Sequence, residues 1–182
     1  MTRKSSGPSI EFAIVSLERL WQLVPYRHAA QDYLPQANDL QKVFDLIWKT
    51  RIEILDTRSV ASKFNFDPRQ ASYYIEATKE LGFVEQFSPD SYRLTELGSR
   101  VRESTEPVAL SRFVPSVLGV PIVLRLLSLV RDSPEHRLDS RDYRRLVTEF
   151  AAGRYSGATL TRRMDSISAW LRWLENNSEF VT

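Results

Sequence analysis

The stretch from residue 38 to residue 104 constrains the fold of this chain most, because it holds three well-marked helix starts in close succession. Residues that favour helix N-caps precede three short apolar stripes: Asn38 or Asp39, Asp56 or Thr57, and Asp67 followed by Pro68. The first stripe recurs at three- and four-residue spacing, in Leu40, Val43, Phe44, Ile47 and Trp48. A turn at residues 65–67 separates the second helix from the third, and Gly82 ends the third.

A β-hairpin is predicted directly after the third helix. Residues 83–87 and 91–94 favour strands, and Ser88-Pro89-Asp90 suits the tip between them. Thr95 then caps a further short helix. The order helix, helix, helix, hairpin is that of a winged helix-turn-helix. We therefore expect a mainly α fold with a small β-hairpin wing, and a winged-helix domain over residues 38–104.

The second half of the chain repeats part of this pattern. Residues 120–130 form a strongly apolar helix, another helix begins at Asp139 or Ser140, and a last helix covers about residues 160–175. The inner face of the last helix is predicted to be Leu160, Met164, Ile167, Leu171 and Leu174. Residues 105–182 are therefore expected to form a second helix-turn-helix, a partial winged-helix domain whose wing is missing or truncated. The two halves together would make a tandem winged helix-turn-helix.

The two ends of the chain are less distinctive. Residues 1–37 are expected to be an N-terminal extension of a helix or strand plus a loop, with a loose terminus over residues 1–8. Ser9 can cap a helix from Ile10 to about Val24 whose inner face would be Ile10, Ile14, Leu17, Trp21 and Val24, although the first half of that stretch also favours a strand. Residues 179–181 could begin a strand.

Composition excludes several classes of protein. The 182 residues include 42% hydrophobic and 26% charged residues, which is typical of a soluble globular protein. There is no cysteine and there are two isolated histidines, so we expect no metal and no cofactor. The phosphate-binding, dinucleotide-binding and nucleophile-elbow motifs are absent, and the acids are scattered. We therefore expect no enzymatic activity in this chain, and a cytoplasmic protein that does not enter the membrane.

Several residues have the right chemistry and position for DNA. In a winged helix-turn-helix the first part of the third helix enters the major groove, where arginine can bind guanine and glutamine can bind adenine. Cations on the second helix and the hairpin, and polar residues at the start of the last helix, suit phosphates. The predicted DNA-binding residues are Arg58, Lys63, Arg69, Gln70, Tyr73, Arg93, Arg154, Ser156, Thr159, Arg162, Arg163 and Ser166.

The same residues permit other interpretations. Arg69 can simply pair with Asp67, and Glu76 and Glu80 would repel phosphates if they faced the groove. Many winged helices bind proteins and not DNA. If this chain is such a module, the apolar stretch 10–24 would be the surface that docks a partner or that joins two copies in a homodimer. A complete small nuclease is disfavoured, because such an enzyme gathers carboxylates and a lysine on a mixed sheet.

Three runs carry a resemblance to a known family. They are residues 66–74 (Phe-Asp-Pro-Arg-Gln-Ala-Ser-Tyr-Tyr), residues 80–85 with 92–98, and residues 159–174. Together they resemble the tandem winged-helix module of restriction-modification proteins, notably the DNA-binding part of some type II restriction endonucleases. The resemblance implies binding of double-stranded DNA and a partner nuclease domain or subunit. Because no nuclease domain is present, we expect a DNA-binding piece of a larger enzyme, a free-standing subunit or a transcriptional regulator.

Overall fold

The structure is a computed structural model that describes residues 9–50 and 53–180. The expected loose terminus at residues 1–8 and the end of the expected strand, Val181, lie outside the described residues. Four short strands are present in this part of the chain: β1 (Ile10–Glu11), β2 (Val84–Ser88), β3 (Ser91–Leu94) and β4 (Arg137–Leu138). The α-helices of the same part are α1 (Ile14–Trp21), α2 (Leu40–Trp48), α3 (Thr57–Phe64), α4 (Pro68–Glu80), α5 (Glu96–Arg102), α6 (Glu106–Leu118), α7 (Pro121–Asp132), α8 (Ser140–Ala151) and α9 (Gly157–Asn177). The predicted mainly α fold with a small β-hairpin is confirmed.

The helix starts predicted from capping residues are confirmed where the caps are acidic or threonine. In each case the side chain accepts a hydrogen bond from a backbone N–H of the first turn, which otherwise has no partner. These caps are Asp39, Asp56, Asp67, Thr95 and Asp139. At the other end of α4, Gly82 adopts a φ of 82°, a conformation that glycine tolerates and that stops the helix before the hairpin.

The hairpin formed by β2 and β3 is joined to the connection between α2 and α3. Leu55 and Tyr92 exchange two backbone hydrogen bonds of 2.8 Å each. Leu55 is buried, so the bridge fixes the α2–α3 connection against the hairpin. The first unit therefore runs helix, bridge, helix, helix, hairpin and a closing helix, α5.

The N-terminal segment combines the two predicted alternatives for residues 10–24, with a strand first and a helix after it. Ile10–Glu11 forms β1, and α1 begins only at Ile14 without a side-chain cap. The predicted inner face is also wrong in part, because Ile14 is 55% and Val24 77% exposed while Leu17 and Leu20 are buried. The break has a tertiary cause: β1 pairs with a strand that the sequence analysis did not identify.

That strand is β4, which lies between α7 and α8. Ile10 pairs with Leu138 and Glu11 with Arg137 in an antiparallel register. The second unit therefore runs helix, strand, helix, helix, and its strand is paired by the N-terminal segment. No strand follows α9 within the described residues, so the expectation of a partial winged-helix domain stays a prediction. After α9, Ser178–Phe180 forms a 3-10 helix, so the strand expected at residues 179–181 is wrong over Glu179 and Phe180.

Helix α6 was not predicted from the sequence, although it joins the two units. Its buried residues include Phe113, whose ring packs against Phe44 of α2, Phe83 and Trp173 of α9 at centroid distances of 5.1–5.6 Å. A continuous buried core extends from Ile10 to Leu174. The division at residues 37 and 104 stays a prediction. In the described part of the chain no single helix is long and apolar enough to cross a membrane; only α6 and α7 as a pair, bent by 90°, meet that length and hydropathy.

Candidate functional site

A polar cleft of about 480 Å³ lies where the first turns of α4 meet the first half of α9. Residues from both units and from the segment that precedes α2 line it. The lining residues are Gln36, Asn38, Asp67, Arg69, Gln70, Tyr73, Tyr74, Arg162, Asp165 and Ser166. Five of the twelve predicted DNA-binding residues are therefore brought together here: Arg69, Gln70, Tyr73, Arg162 and Ser166.

The wall formed by α4 is organised by its N-terminus. Asp67 accepts a 2.8 Å hydrogen bond from the Gln70 N–H, which fixes the first turn, and Pro68 occupies the position where no N–H is needed. Arg69 is exposed, and its Nε donates to the Tyr73 hydroxyl one turn later. Arg69 therefore does not pair with Asp67, as one interpretation of the sequence expected. Its guanidinium lies 5.8 Å from the centroid of the Tyr73 ring.

The opposite wall is formed by α9, and it combines an exposed cation with a buried hydroxyl. Arg162 is exposed and donates a long 3.4 Å hydrogen bond to Thr159. Ser166 is 1% exposed and donates to the backbone oxygens of Gln36 and Arg162 at 3.2 and 3.1 Å. Ser166 therefore forms the base of the cleft and ties α9 to the segment before α2, rather than contacting phosphate as predicted.

Tyr74 closes the base of the cleft from the α4 side. Its ring is buried and its hydroxyl donates a 3.0 Å hydrogen bond to Oδ1 of Asn38. Burial, together with the nearby Asp39 carboxylate, raises the pKa of Tyr74 to about 12. Burial also raises the pKa of the Tyr33 and Tyr143 hydroxyls above the ordinary value of 10.

These raised pKa values predict a loss of stability at alkaline pH. The pKa of Tyr74 is higher in the folded state than in the unfolded state. The contribution of its protonated hydroxyl to folding stability is therefore complete below pH 10 and is lost as the pH rises from 10 towards 12. Between pH 10 and 11 the free energy of unfolding of the Tyr74→Phe variant is expected to fall by roughly 1 kcal/mol less than that of the wild type. Urea unfolding at the two pH values measures the difference. Equal losses for both proteins would contradict the raised pKa.

Two of the predicted phosphate-binding arginines are instead occupied within the protein. Arg163 is only 7% exposed; it donates to the Leu34 carbonyl and, at 2.8 Å, to Oε1 of Gln36, and it stacks 4.0 Å from the centroid of the Tyr155 ring. Arg154 forms an ion pair with Asp32 and also donates to the Asp32 backbone oxygen at 2.8 Å. These contacts fasten the second unit to residues 32–36. The prediction that Arg163 contacts DNA does not fit its burial.

The remaining predicted residues lie outside the cleft. Arg58 and Lys63 are exposed on α3 and have no ion pair or hydrogen bond of their side chains within the described residues. Arg93 is exposed on the hairpin but forms a 2.8 Å ion pair with Glu85. Ser156 and Thr159 stand at the start of α9; Ser156 is exposed, and its side chain makes no cap hydrogen bond.

Glu76 and Glu80, the acids of α4 that would repel phosphates if they faced the groove, have different surroundings. Glu80 accepts a 2.9 Å hydrogen bond from the Ala30 N–H and thus faces the N-terminal segment. Glu76 is exposed as a residue, but partial desolvation of its carboxyl raises its pKa, while Arg163 acts in the opposite direction. Neither acid lines the cleft, whose carboxylates are Asp67 and Asp165.

Five lining residues were not predicted as part of a site: Gln36, Asn38, Asp67, Tyr74 and Asp165. Asn38 and Asp67 were identified only as helix caps, and the other three were not singled out for binding. Their common feature is that they are polar residues beside α2, α4 or α9, which becomes meaningful only once these helices are adjacent. Among the residues that the structure describes, no group of three or more His, Cys, Asp or Glu side chains could hold a metal ion.

The fold and the cleft define a mainly helical protein with a polar cleft between α4 and α9. The chain belongs to a family described as a domain of unknown function (DUF7226), and the match covers residues 42–179. The matched region thus includes the cleft walls formed by α4 and α9. Searches of curated proteins and of solved structures returned no match.

Proposed function

We propose that this protein is a double-stranded DNA-binding module made of two winged helix-turn-helix units. The observation that carries the proposal is the cleft in which Arg69, Gln70 and Tyr73 of α4 lie opposite Arg162 of α9. In the first unit, the order of helices and the hairpin supports α4 as the helix that enters the major groove. In the second unit, α9 is also the third helix in order, and we assign to the two-stranded sheet of β1 and β4 the place that the β2–β3 hairpin has in the first unit.

The chemistry of the exposed side chains supports a division of roles. Arg69 and Gln70 carry the donor and acceptor groups that read base edges, and they stand in the first turn of α4. Arg58 and Lys63 on α3, and Arg162 on α9, are exposed cations suited to phosphates. Arg163 and Ser166 are left out of this interface, because both are buried. Arg154 and Arg93 already form ion pairs with Asp32 and Glu85, which reduces the contribution of both arginines to DNA binding.

We extend the proposal to a restriction-modification context on the resemblance alone. The module would be the DNA-recognition part or subunit, with cleavage supplied by a nuclease domain or partner rather than by this chain. A transcriptional regulator with the same DNA-binding surface is the alternative. Both roles require binding to duplex DNA, so that binding is the property to test first.

We expect salt-sensitive binding to duplex DNA that depends on the cleft arginines. Arg69→Ala is expected to weaken binding about 10- to 100-fold, which corresponds to the loss of one base contact of ~1–3 kcal/mol. Arg162→Ala is expected to lower the slope of log affinity against log salt by about one, because one phosphate contact is lost. Fluorescence anisotropy with a labelled random duplex at two salt concentrations measures both effects.

Arg125→Ala provides the matched control, since Arg125 is an exposed arginine on α7 that does not line the cleft. It removes the same charge and is expected to leave the affinity and salt slope nearly unchanged. Equal losses for all three variants would mean that binding follows net charge and not this cleft. Absence of binding by the wild-type protein at low salt would overturn the proposed function.

One observation favours a second candidate function, a protein-docking module. Ile14 and Val15 at the start of α1 are each 55% exposed, and Val24 just beyond it is 77% exposed. Adjacent exposed apolar residues are typical of interaction surfaces. The test is light scattering over a range of protein concentrations, in which a dimer that Ile14→Ser and Val15→Ser disrupt would support docking through this surface.

A further inference from the structure

We propose that the cleft between α4 and α9 binds a single guanine nucleotide, with the base inside the cleft and its phosphate on Arg162. The inference rests on the proposed DNA-binding function and specifies the ligand of the same site. The nucleotide can be an unpaired residue of DNA or a free nucleotide, because the chemistry of the two is shared.

The charges of the cleft favour a base over a stretch of phosphate backbone. Asp67 and Asp165 line the cleft together with Arg69 and Arg162. Carboxylates repel phosphate oxygens, so both acids would weaken the binding of a DNA phosphate backbone along this surface. A base edge, in contrast, presents donors and acceptors side by side, and a lining of both signs is complementary to it.

The size of the cleft also suits one nucleotide. Its volume of about 480 Å³ lies within the ~300–1,000 Å³ typical of small-ligand sites. At its base, Ser166 and Tyr74 are polar residues with exposures of 1% and 2%. Pairing occupies the Watson–Crick edge of a base within a duplex, whereas an extrahelical base can present that edge to the cleft. The Tyr73 ring in the wall offers a surface for stacking.

The acceptors in the cleft distinguish among bases. Oδ1 of Asp67 is already used in capping α4, whereas Asp165 forms no hydrogen bond or ion pair within the described residues. Its two carboxylate oxygens accept only, and guanine is the base whose Watson–Crick edge offers two adjacent donor groups, N1–H and N2–H₂. Thymine offers one donor between two carbonyl oxygens, which a carboxylate repels. The guanidinium group of Arg69 can donate to guanine O6, and Arg162 is then left for the phosphate.

The experiment compares three duplexes that differ at one position: fully paired, guanine opposite an abasic site, and thymine opposite an abasic site. We expect the wild-type protein to bind the unpaired-guanine duplex about 10-fold more tightly than the other two. The paired duplex must lose pairing energy before its base can enter the cleft, and unpaired thymine offers Asp165 one donor where guanine offers two. Asp165→Asn should abolish this preference and retain affinity for the paired duplex. Glu103→Gln makes the same change of charge at an exposed residue outside the cleft and should keep the preference.

A second arm titrates free dGMP and TMP into the protein and follows amide chemical shifts. Shifts with dGMP but not TMP, lost in Asp165→Asn, together with equal affinity for the three duplexes would assign the cleft to a free nucleotide. Salt-sensitive binding of all three duplexes with equal affinity and no response to dGMP would overturn the guanine site and leave the DNA-binding function intact. Failure to bind any duplex or nucleotide would overturn both.

Discussion

Replacement of Trp170 by alanine is expected to destabilise the folded protein by about 3–5 kcal/mol, the usual cost of removing a large aromatic side chain from a packed core. Trp170 is 0% exposed, and its Nε1 donates a 2.8 Å hydrogen bond to the Ala37 carbonyl. The substitution would leave a cavity at the centre of α9 and a buried carbonyl without its donor. Because folded domains are stable by only ~5–15 kcal/mol, the loss is a large fraction of the total. Urea unfolding followed by circular dichroism measures it.

Trp170→Phe separates the two causes. It retains most of the buried ring and removes the hydrogen bond, so the expected cost is only about 1–3 kcal/mol. A cost below 1 kcal/mol for Trp170→Ala would contradict the packing of α9 against the segment before α2. Since this packing also forms the cleft, the Trp170→Ala protein that remains folded should bind duplex DNA less tightly than the wild type.

The adjacent residues Arg162 and Arg163 are expected to give opposite phenotypes. Arg163→Ala should destabilise the protein by about 3 kcal/mol, because hydrogen bonds from a buried guanidinium contribute more than neutral ones and two acceptors on residues 34–36 lose their donor. Arg162→Ala should change the stability by less than about 0.5 kcal/mol, as exposed substitutions usually do, and should weaken DNA binding. Thermal unfolding and anisotropy measured on both variants make the comparison.

Arg163→Lys tests whether charge alone is sufficient. Lysine retains the positive charge but cannot donate from a planar fork to Leu34 and Gln36 while stacking on Tyr155. Arg163→Lys should therefore destabilise the protein almost as much as Arg163→Ala. If Arg163→Ala were as stable as the wild type and bound DNA more weakly than Arg162→Ala does, the assignment of the two arginines would be reversed.

Much of the first unit was predictable, because its signals are local. A cap such as Asp67 satisfies N–H groups within three residues, and the apolar spacing of α2 and α4 reflects which face is buried. The stop at Gly82 and the hairpin after it follow from the same short-range rules. For α9, the predicted inner face is confirmed in Met164, Ile167, Leu171 and Leu174, which are all buried.

Local signals misled where one segment pairs with a distant one. The periodicity of residues 10–24 is compatible with a helix, yet Ile10 and Glu11 extend as a strand because Leu138 and Arg137 supply the backbone partners. Arg163 and Ser166 were predicted to contact phosphate because they lie near the start of the last helix and outside its predicted inner face. Both are buried, because residues 34–36 supply carbonyl and amide acceptors at that point.

The sequence by itself determined the starts of the capped helices α2, α3, α4, α5 and α8, the hairpin, and most of the inner face of α9, since capping and periodicity act within a few residues. Only the tertiary structure decided which polar residues share the cleft. Arg163 lies 129 residues from its acceptor Leu34, and Trp170 lies 133 residues from Ala37. At such separations the contacts depend on how whole helices pack in one core, and the packing places Arg69 of α4 and Arg162 of α9 around the same cavity.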